Sequence, residues 1–94
     1  MKITPHNIVN HELIGLNVYI ARHANPNNNN IKGIVIFETK NMLIIKKENG
    51  KIIKVTKDGI FRFTLPDKTV VEVDGNLIKY RPEDRLKRVF RRKW

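Results

Sequence analysis

Residues 33–56, GIVIFETKNMLIIKKENGKIIKVT, decide the fold of this chain. They contain three short runs rich in Val and Ile: Gly33 to Thr39, Met42 to Lys47 and Ile52 to Thr56. The pairs Lys40-Asn41 and Asn49-Gly50 separate these runs, and β-branched runs with turn residues between them are typical of antiparallel hairpins. Because Asn-Gly is the preferred pair of a type I′ turn, we expect a two-residue hairpin loop at the second position.

The same pattern continues on both sides of this stretch. Upstream, Leu16, Val18 and Ile20 alternate with other residues, which is the period of a strand with one buried face. Downstream, three further runs are predicted as strands: Ile60 to Leu65, Thr69 to Val73 and Leu77 to Tyr80. Turn residues stand between the runs at Asp58-Gly59, Pro66-Asp67 and Asp74-Gly75. The spacing predicts a mainly β protein built as a small antiparallel barrel.

Helices are expected only at the two ends of the chain. Pro5 favours the start of a helix and Gly15 its end, so residues 1–15 are predicted to contain a short N-terminal helix. Pro82 favours a second start, which opens a basic helix over residues 81–94.

The length of 94 residues indicates a single domain. Its β-barrel is predicted over residues 16–80. Within that barrel, residues 23–30 include four consecutive Asn and are predicted to form a mobile loop, because they offer no apolar side chain of any size to bury.

The charge of the chain indicates a polyanionic partner. Nineteen Lys and Arg stand against nine Asp and Glu, for a formal net charge of +10. Residues 76–94 alone contain eight of the basic residues and two acidic ones, but the rest of the chain is basic as well. Such a distribution is typical of a nucleic-acid-binding protein.

Several other classes of function are disfavoured by the composition. The chain has no Ser and no Cys, so a nucleophilic triad and a thiolate metal site are not expected. His6, His11 and His23 lack metal-ligand spacing, and Glu72 with Asp74 is explained more simply by a solvated strand face and a turn. We therefore predict no catalytic residue and no metal ligand. No apolar run approaches a membrane span and no signal peptide is recognised, so the expected location is cytoplasmic with no membrane partner.

Three separated blocks resemble the archaeal ribonuclease P protein component 1 family. They are HELIGL at 11–16, GIVIFETKNML at 33–43, and Asp74-Gly75 followed by RPEDRLK at 81–87. The resemblance implies a twisted Sm-like β-barrel flanked by helices. It also implies an RNA-binding subunit of the ribonucleoprotein that removes 5′ leaders from precursor tRNA. In that family the RNA is the catalyst, so Mg²⁺ is expected for the RNA and no cofactor for this chain.

The resemblance also implies partners. They are ribonuclease P RNA, the zinc-ribbon ribonuclease P protein component 4, and the other proteins of the holoenzyme. The N-terminal segment is richer in apolar residues than a short solvated helix requires, and its candidate partner-facing residues are Ile3, Ile8, Val9, Leu13 and Ile14. Docking of these residues onto the chain's own barrel is an equal alternative.

Candidate RNA contacts are basic residues that extended geometry would place on outer faces and hairpin ends, or that lie in the C-terminal helix. Asn41 joins them because the resemblance covers its turn. The full set is Lys40, Asn41, Lys46, Lys47, Lys51, Lys54, Lys57, Arg62, Lys79, Arg81, Arg85, Lys87 and Arg88. The Arg residues of the C-terminal helix are favoured individually, since a guanidinium can grip a phosphate bidentately.

Three alternative functions stay open from the residues alone. A chromatin or duplex-DNA-binding barrel and an Sm-like ring-forming RNA chaperone would share the basic β-barrel. A stand-alone metal-dependent nuclease would have to cleave RNA without a catalytic RNA, and we expect no such cleavage.

Overall fold

The computed structural model describes residues 13–79, which form one antiparallel sheet of six strands. The strands are β1 (Asn17–His23), β2 (Lys32–Glu38), β3 (Met42–Lys47), β4 (Ile52–Thr56), β5 (Gly59–Thr64) and β6 (Val70–Asp74). Two 3₁₀ turns accompany them, at Pro26–Asn28 and Gly75–Ile78. The strand order is β4-β3-β2-β1-β5-β6. The predicted mainly β antiparallel class is confirmed.

One face of the sheet forms the core. Val18 and Ile20 of β1 pair with Phe63 and Phe61 of β5, and the two Phe rings stack with centroids 6.2 Å apart. These side chains are buried, as the alternation of β1 predicts. The remaining apolar core residues within 13–79 are Leu13, Leu16, Val35, Leu43, Ile45, Val55, Leu65, Val73 and Ile78.

The sheet curls strongly because of one short connection. Thr56 ends β4 and Gly59 begins β5, so only three peptide units, or about 11 Å of chain, join them. In a flat sheet, β4 and β5 would lie four strand spacings apart, about 19 Å. The sheet must therefore curl until the end of β4 approaches the start of β5.

His23 fastens this curl at the end of β1. Its Nδ1 accepts a hydrogen bond from the backbone N–H of Asn25 at 2.9 Å, which leaves the ring proton on Nε2. Nε2 then donates to the carbonyl oxygen of Thr56 at 2.9 Å. The next residue, Ala24, donates its backbone N–H to the carbonyl of Asp58 at 2.9 Å. These bonds connect β1 directly to the β4–β5 link.

The prediction of a closed barrel is wrong for the part of the chain that the structure describes. Strands β4 and β6 are the two edges of the sheet, and no ladder joins them. At one end, the Gly75–Ile78 turn follows β6 and sets Gly75 directly against the carbonyl group of Lys57. Loop and side-chain contacts, with no backbone ladder, therefore hold the curled edges together.

The turn predicted at Asn49-Gly50 differs from the observed one. Lys47 donates its N–H to the carbonyl of Lys51 at 2.8 Å, so the loop between β3 and β4 has three residues and not two. Only Gly50 has a positive φ, of 86°, whereas a type I′ turn requires two such residues. A type I turn followed by a left-handed residue fits this geometry, and the type I′ prediction is wrong.

The β5–β6 hairpin repeats this geometry with a lysine in the strained position. Lys68 has φ 72°, and Leu65 donates its N–H to the carbonyl of Thr69 at 2.8 Å. We expect Lys68→Gly to raise the free energy of unfolding by about 0.5–1 kcal/mol, because glycine avoids the left-handed penalty at some cost in chain entropy. Urea denaturation measures the change, with Lys68→Ala as the control that keeps the strain. A glycine variant no more stable than the alanine variant would contradict this prediction.

One other local strand prediction is wrong, whereas the predicted mobility of residues 23–30 stays a prediction. Leu77 to Tyr80 was predicted as a strand, but residues 75–78 form a 3₁₀ turn capped by Asp74, whose Oδ1 accepts from the N–H of Asn76 at 2.9 Å. The segment 23–30, predicted as a mobile loop, contains the Pro26–Asn28 turn. There the side chain of Asn29 accepts from the N–H of His23 at 2.8 Å.

The predicted terminal helices fall almost entirely outside residues 13–79. The described end of the N-terminal segment is a turn in which Gly15 has φ 92° and donates to the carbonyl of Val35 at 2.7 Å. Within residues 13–79, no helix has the length and apolar character needed to cross a membrane.

Candidate nucleic-acid interface

The solvent-facing side of the sheet carries an aromatic ring between two cations. Tyr19 of β1 lies opposite Lys32 of β2 and opposite Arg62 of β5. Lys32 Nζ is 5.9 Å from the centre of the Tyr19 ring, and the Arg62 guanidinium carbon is 5.8 Å from it. Both distances fall within the range of cation–π attraction. Tyr19 also donates its hydroxyl to Oδ1 of Asn30 at 2.6 Å, which fixes the direction of the ring.

An open groove of about 520 Å³ runs beside this ring. Its main lining side chains are Asn17, Tyr19, Lys32, Ile34, Lys46 and Lys47. The register explains how they meet, since Asn17 pairs with Ile34 and Ile34 pairs with Lys46. Asn17, Ile34 and Lys46 therefore lie side by side on three neighbouring strands.

The groove is positively charged despite two nearby carboxylates. Arg62 donates from Nε to Glu72 at 3.0 Å, but both side chains are about half exposed, so the pair is weak and easily rearranged. Glu48 lies at the mouth of the groove beside Lys47. The cations Lys32, Lys46, Lys47 and Arg62 outnumber these two acids, so an anion is favoured here.

Lys57 does not lie on an outer face, and that part of the sequence prediction is wrong. Its side chain is fully buried and its Nζ donates to Oε2 of Glu38 at 2.7 Å and to the carbonyl of Thr39 at 2.8 Å. A buried ammonium has to be paired in this way because desolvation of an isolated charge is very costly. Lys57 therefore has a structural role.

The buried ion pair positions the exposed turn between β2 and β3. The backbone N–H of Lys57 donates to the carbonyl of Asn41 at 2.9 Å, and its Nζ holds the carbonyl of Thr39. Lys40 and Asn41 are both exposed at the tip of this turn. The candidate RNA contacts Lys40 and Asn41 therefore face solvent, on a turn whose backbone is fixed by these two hydrogen bonds from Lys57.

The other predicted RNA contacts are distributed unevenly. Lys46 and Lys47 line the groove, and Arg62 stands beside Tyr19. Lys51 and Lys54 are exposed on the β3–β4 hairpin, away from Tyr19. Lys79 pairs with Asp58 at 3.4 Å on the surface. Arg81, Arg85, Lys87 and Arg88 lie outside the described residues, so their assignment stays a prediction.

The predicted partner-facing residues also differ in where they lie: one is buried, one is exposed and three are outside residues 13–79. Leu13 is completely buried in this chain's own core, which agrees with the alternative of self-docking and removes it from the partner-facing set. Ile14 is exposed. Ile3, Ile8 and Val9 lie outside residues 13–79.

Sequence reasoning missed Asn17, Tyr19 and Lys32 as candidates. The signal for the first two was present, because a strand that buries Val18 and Ile20 must turn Asn17 and Tyr19 to the other face. The Val- and Ile-rich pattern places the start of this strand at Gly33, whereas β2 begins at Lys32, so the pattern gives no sign that Lys32 belongs to the sheet.

The acidic residues of β6 have other uses. Glu72 pairs with Arg62, and Asp74 caps the turn that follows it. Within residues 13–79, no group of three His, Asp or Glu side chains is placed to hold a metal ion.

Comparison with known proteins yields concordant similarities. A sequence model of the family described as "Ribonuclease P/MRP, subunit p29" matches residues 6–88. Ribonuclease P protein component 1 of Methanothermobacter thermautotrophicus is 45% identical over 91 residues, covering 96% of this chain and 98% of that protein. The Methanocaldococcus jannaschii protein of the same name is 49% identical over 87 residues, covering 92% and 90%. The solved structure of Mth11, described as a homologue of human RNase P protein Rpp29, superposes with TM-score 0.60 at 41% identity and covers 78% of this chain and 96% of that one.

Proposed function

The chain belongs to the ribonuclease P/MRP subunit p29 family, and from that premise we propose that it acts as an RNA-binding subunit of ribonuclease P. The complex removes 5′ leaders from precursor tRNA. The chain supports the folding and activity of the catalytic RNA by neutralising phosphates that the folded RNA brings together.

One structural observation carries the RNA-binding part of this proposal. Lys32, Lys46 and Lys47 line one open groove, and Arg62 stands beside that groove, 5.8 Å from the centre of the Tyr19 ring. Placing like charges this close together raises the electrostatic free energy of the protein, and a bound polyanion would lower it. A phosphate backbone lying along the groove would neutralise these three lysines and pass close to Arg62.

Catalysis is assigned to the RNA partner, with Mg²⁺ as the ion that the RNA requires. The chain has no Ser or Cys to act as a nucleophile. Its one described histidine, His23, is buried, and both ring nitrogens are engaged, Nε2 with the carbonyl of Thr56 and Nδ1 with the N–H of Asn25, so it is not presented to a substrate.

The proposed protein partner is the zinc-ribbon component 4, alongside the other proteins of the holoenzyme. Ile14, Ile36 and Phe37 are exposed apolar side chains, with Phe37 55% accessible. Gly15, next to Ile14, donates its N–H to the carbonyl of Val35, the residue before Ile36 in β2. An apolar patch rimmed by polar residues is typical of a protein-binding surface.

The curled sheet supports the assignment of an Sm-like fold. We also propose a cytoplasmic location.

The RNA-binding surface can be tested with a double variant, Lys32→Gln with Lys46→Gln. Loss of two phosphate contacts should weaken binding to the cognate ribonuclease P RNA about 10- to 30-fold and reduce the salt slope by about 1.5 to 2. In reconstituted precursor-tRNA cleavage at limiting Mg²⁺, about tenfold more variant should be needed for the same stimulation. The measurements are filter binding across a salt series and the cleavage assay.

The matched control is Arg22→Gln with Lys68→Gln, which removes the same charge from exposed positions outside the groove. Equal losses in both double variants would mean that only net charge matters. If wild-type protein fails to stimulate cleavage and binds duplex DNA as tightly as the cognate RNA, a general nucleic-acid-binding barrel would be the better description.

A further inference from the structure

We propose that the groove beside Tyr19 holds an unpaired nucleotide of the RNA, with its base against Tyr19 and Ile34 and its phosphates at the surrounding lysines. This inference rests on the proposed function and specifies that the surface binds unpaired RNA in preference to duplex RNA. A surface that only neutralised a duplex backbone would need cations and polar groups alone, and this groove offers more.

The first additional element is the exposed aromatic ring. Tyr19 is partly accessible on the outer face, whereas Phe61 and Phe63 are buried in the core. Lys32 and Arg62 approach the Tyr19 ring only at the outer range of cation–π contact, and the ion pair that Arg62 makes with Glu72 is exposed and weak. A base can therefore replace one cation at the ring, and the displaced Lys or Arg remains beside the phosphates of the same strand.

The second element is an apolar surface next to the ring. Ile34 is 44% accessible although it belongs to β2, which has a paired strand on each side. Its cross-strand partners are Asn17 and Lys46, so within residues 13–79 neither side chain directly opposite Ile34 is apolar. A nucleobase has two flat apolar faces and could shield Ile34 from water.

The third element is an amide with free hydrogen-bonding capacity. Within residues 13–79, the Asn17 side chain makes no hydrogen bond, and it is two residues from Tyr19 on the same strand face. An amide presents both a donor and an acceptor, which suits the edge of an unpaired base. In a duplex that edge is already occupied by pairing.

The phosphate positions complete the arrangement. Lys46 and Lys47 line one side of the groove, and Lys32 stands on the other beside Tyr19. The volume of about 520 Å³ accommodates one nucleotide with room for the neighbouring phosphates. Ring, apolar floor, amide and cations together match the requirements of a single-stranded nucleotide site.

The test uses the full chain and two probes of about ten nucleotides: an oligo-uridine with one central 2-aminopurine, and the same strand annealed to its complement. The single strand should bind more tightly than the duplex, and 2-aminopurine fluorescence should be quenched on binding. Tyr19→Leu should weaken single-strand binding about 5- to 100-fold and abolish the quenching. Tyr19→Phe, which keeps the ring, should stay within about twofold of wild type.

Leu77→Ala is the control, because it truncates an exposed apolar side chain outside the groove and should leave binding unchanged. Circular dichroism confirms that each variant is folded. Equal affinity of wild type and Tyr19→Leu for the single strand would overturn the nucleotide site. The proposed function would still stand in that case if the Lys32→Gln, Lys46→Gln double variant bound ribonuclease P RNA more weakly than wild type. Failure of wild type to bind ribonuclease P RNA at all would overturn both.

Discussion

Lys57→Met is expected to lower the free energy of unfolding by about 3–5 kcal/mol, because it removes the ammonium that forms a buried ion pair with the carboxylate of Glu38. The Lys57 side chain is fully buried and that of Glu38 is 1% accessible, so water cannot replace the lost ammonium. The carbonyl of Thr39 loses its hydrogen bond at the same time. Urea denaturation followed by circular dichroism measures the loss.

Two further variants separate the ion pair from simple loss of packing. Glu38→Gln combined with Lys57→Met removes both charges and should recover part of the lost stability, since no uncompensated ion remains. Lys54→Met makes the same chemical change at an exposed position and should alter stability by less than about 0.5 kcal/mol. A single variant that is no less stable than the double variant would reject the buried pair as the cause.

The same substitution has a local consequence at the interface. Lys57 contacts the Lys40–Asn41 turn through both its ammonium and its backbone N–H, and the backbone bond to Asn41 survives in the methionine variant. Amide hydrogen exchange in residues 39–42 should therefore become faster in Lys57→Met. Acceleration confined to this turn would show that the buried lysine stabilises the backbone of the exposed turn.

Gly75→Ala is expected to cost about 3 kcal/mol or more, because there is no space for a methyl group at this position. A Cβ added to Gly75 would lie 1.7 Å from the carbonyl oxygen of Lys57 and 3.0 Å from that of Gly59. Both neighbours are backbone atoms of the β4–β5 link, which the short connection holds in place. The alanine variant must therefore separate β6 from this link, and thermal unfolding should report a large decrease in Tm.

Gly50→Ala provides the control for this effect. Gly50 has φ 86° and nothing within 4 Å of an added Cβ, so alanine there meets only the conformational penalty of about 1–2 kcal/mol. Gly75 shows the opposite case, since its φ is not in the left-handed region and the obstacle is steric. Equal losses at the two positions would contradict the close approach at Gly75.

Much of the architecture could be predicted from local pattern. The alternation around Val18 and Ile20 predicts which side chains of β1 are buried, and the Val- and Ile-rich runs locate most of the other strands. The turn at Asn49-Gly50 was located correctly but given the wrong type, because Asn-Gly is compatible with several hairpin loops and the loop length is set by how the strands pair.

Closure of the sheet could not be predicted in the same way. The runs of residues specify strands, but the curl results from a link of only two residues between Thr56 and Gly59, which joins strands four positions apart in the sheet. The bonds that fasten it, from His23 to Thr56 and from Ala24 to Asp58, join residues more than thirty positions apart. No local pattern contains that information.

The sequence by itself determined the antiparallel strands, the basic charge and the family blocks, because these depend on the residue types along short segments. Only the tertiary structure decided which polar groups became buried. The β1 register shifts between Ile20 and Arg22, and the β2 register shifts between Val35 and Phe37. Each bulge reverses the alternation, so His23 and Glu38 point inward where a regular strand would have turned them to solvent. Lys57 lies two residues after Val55, so its side chain points to the same inward side. It is buried there because the bulge in β2 turns Glu38 inward, and the two side chains form an ion pair.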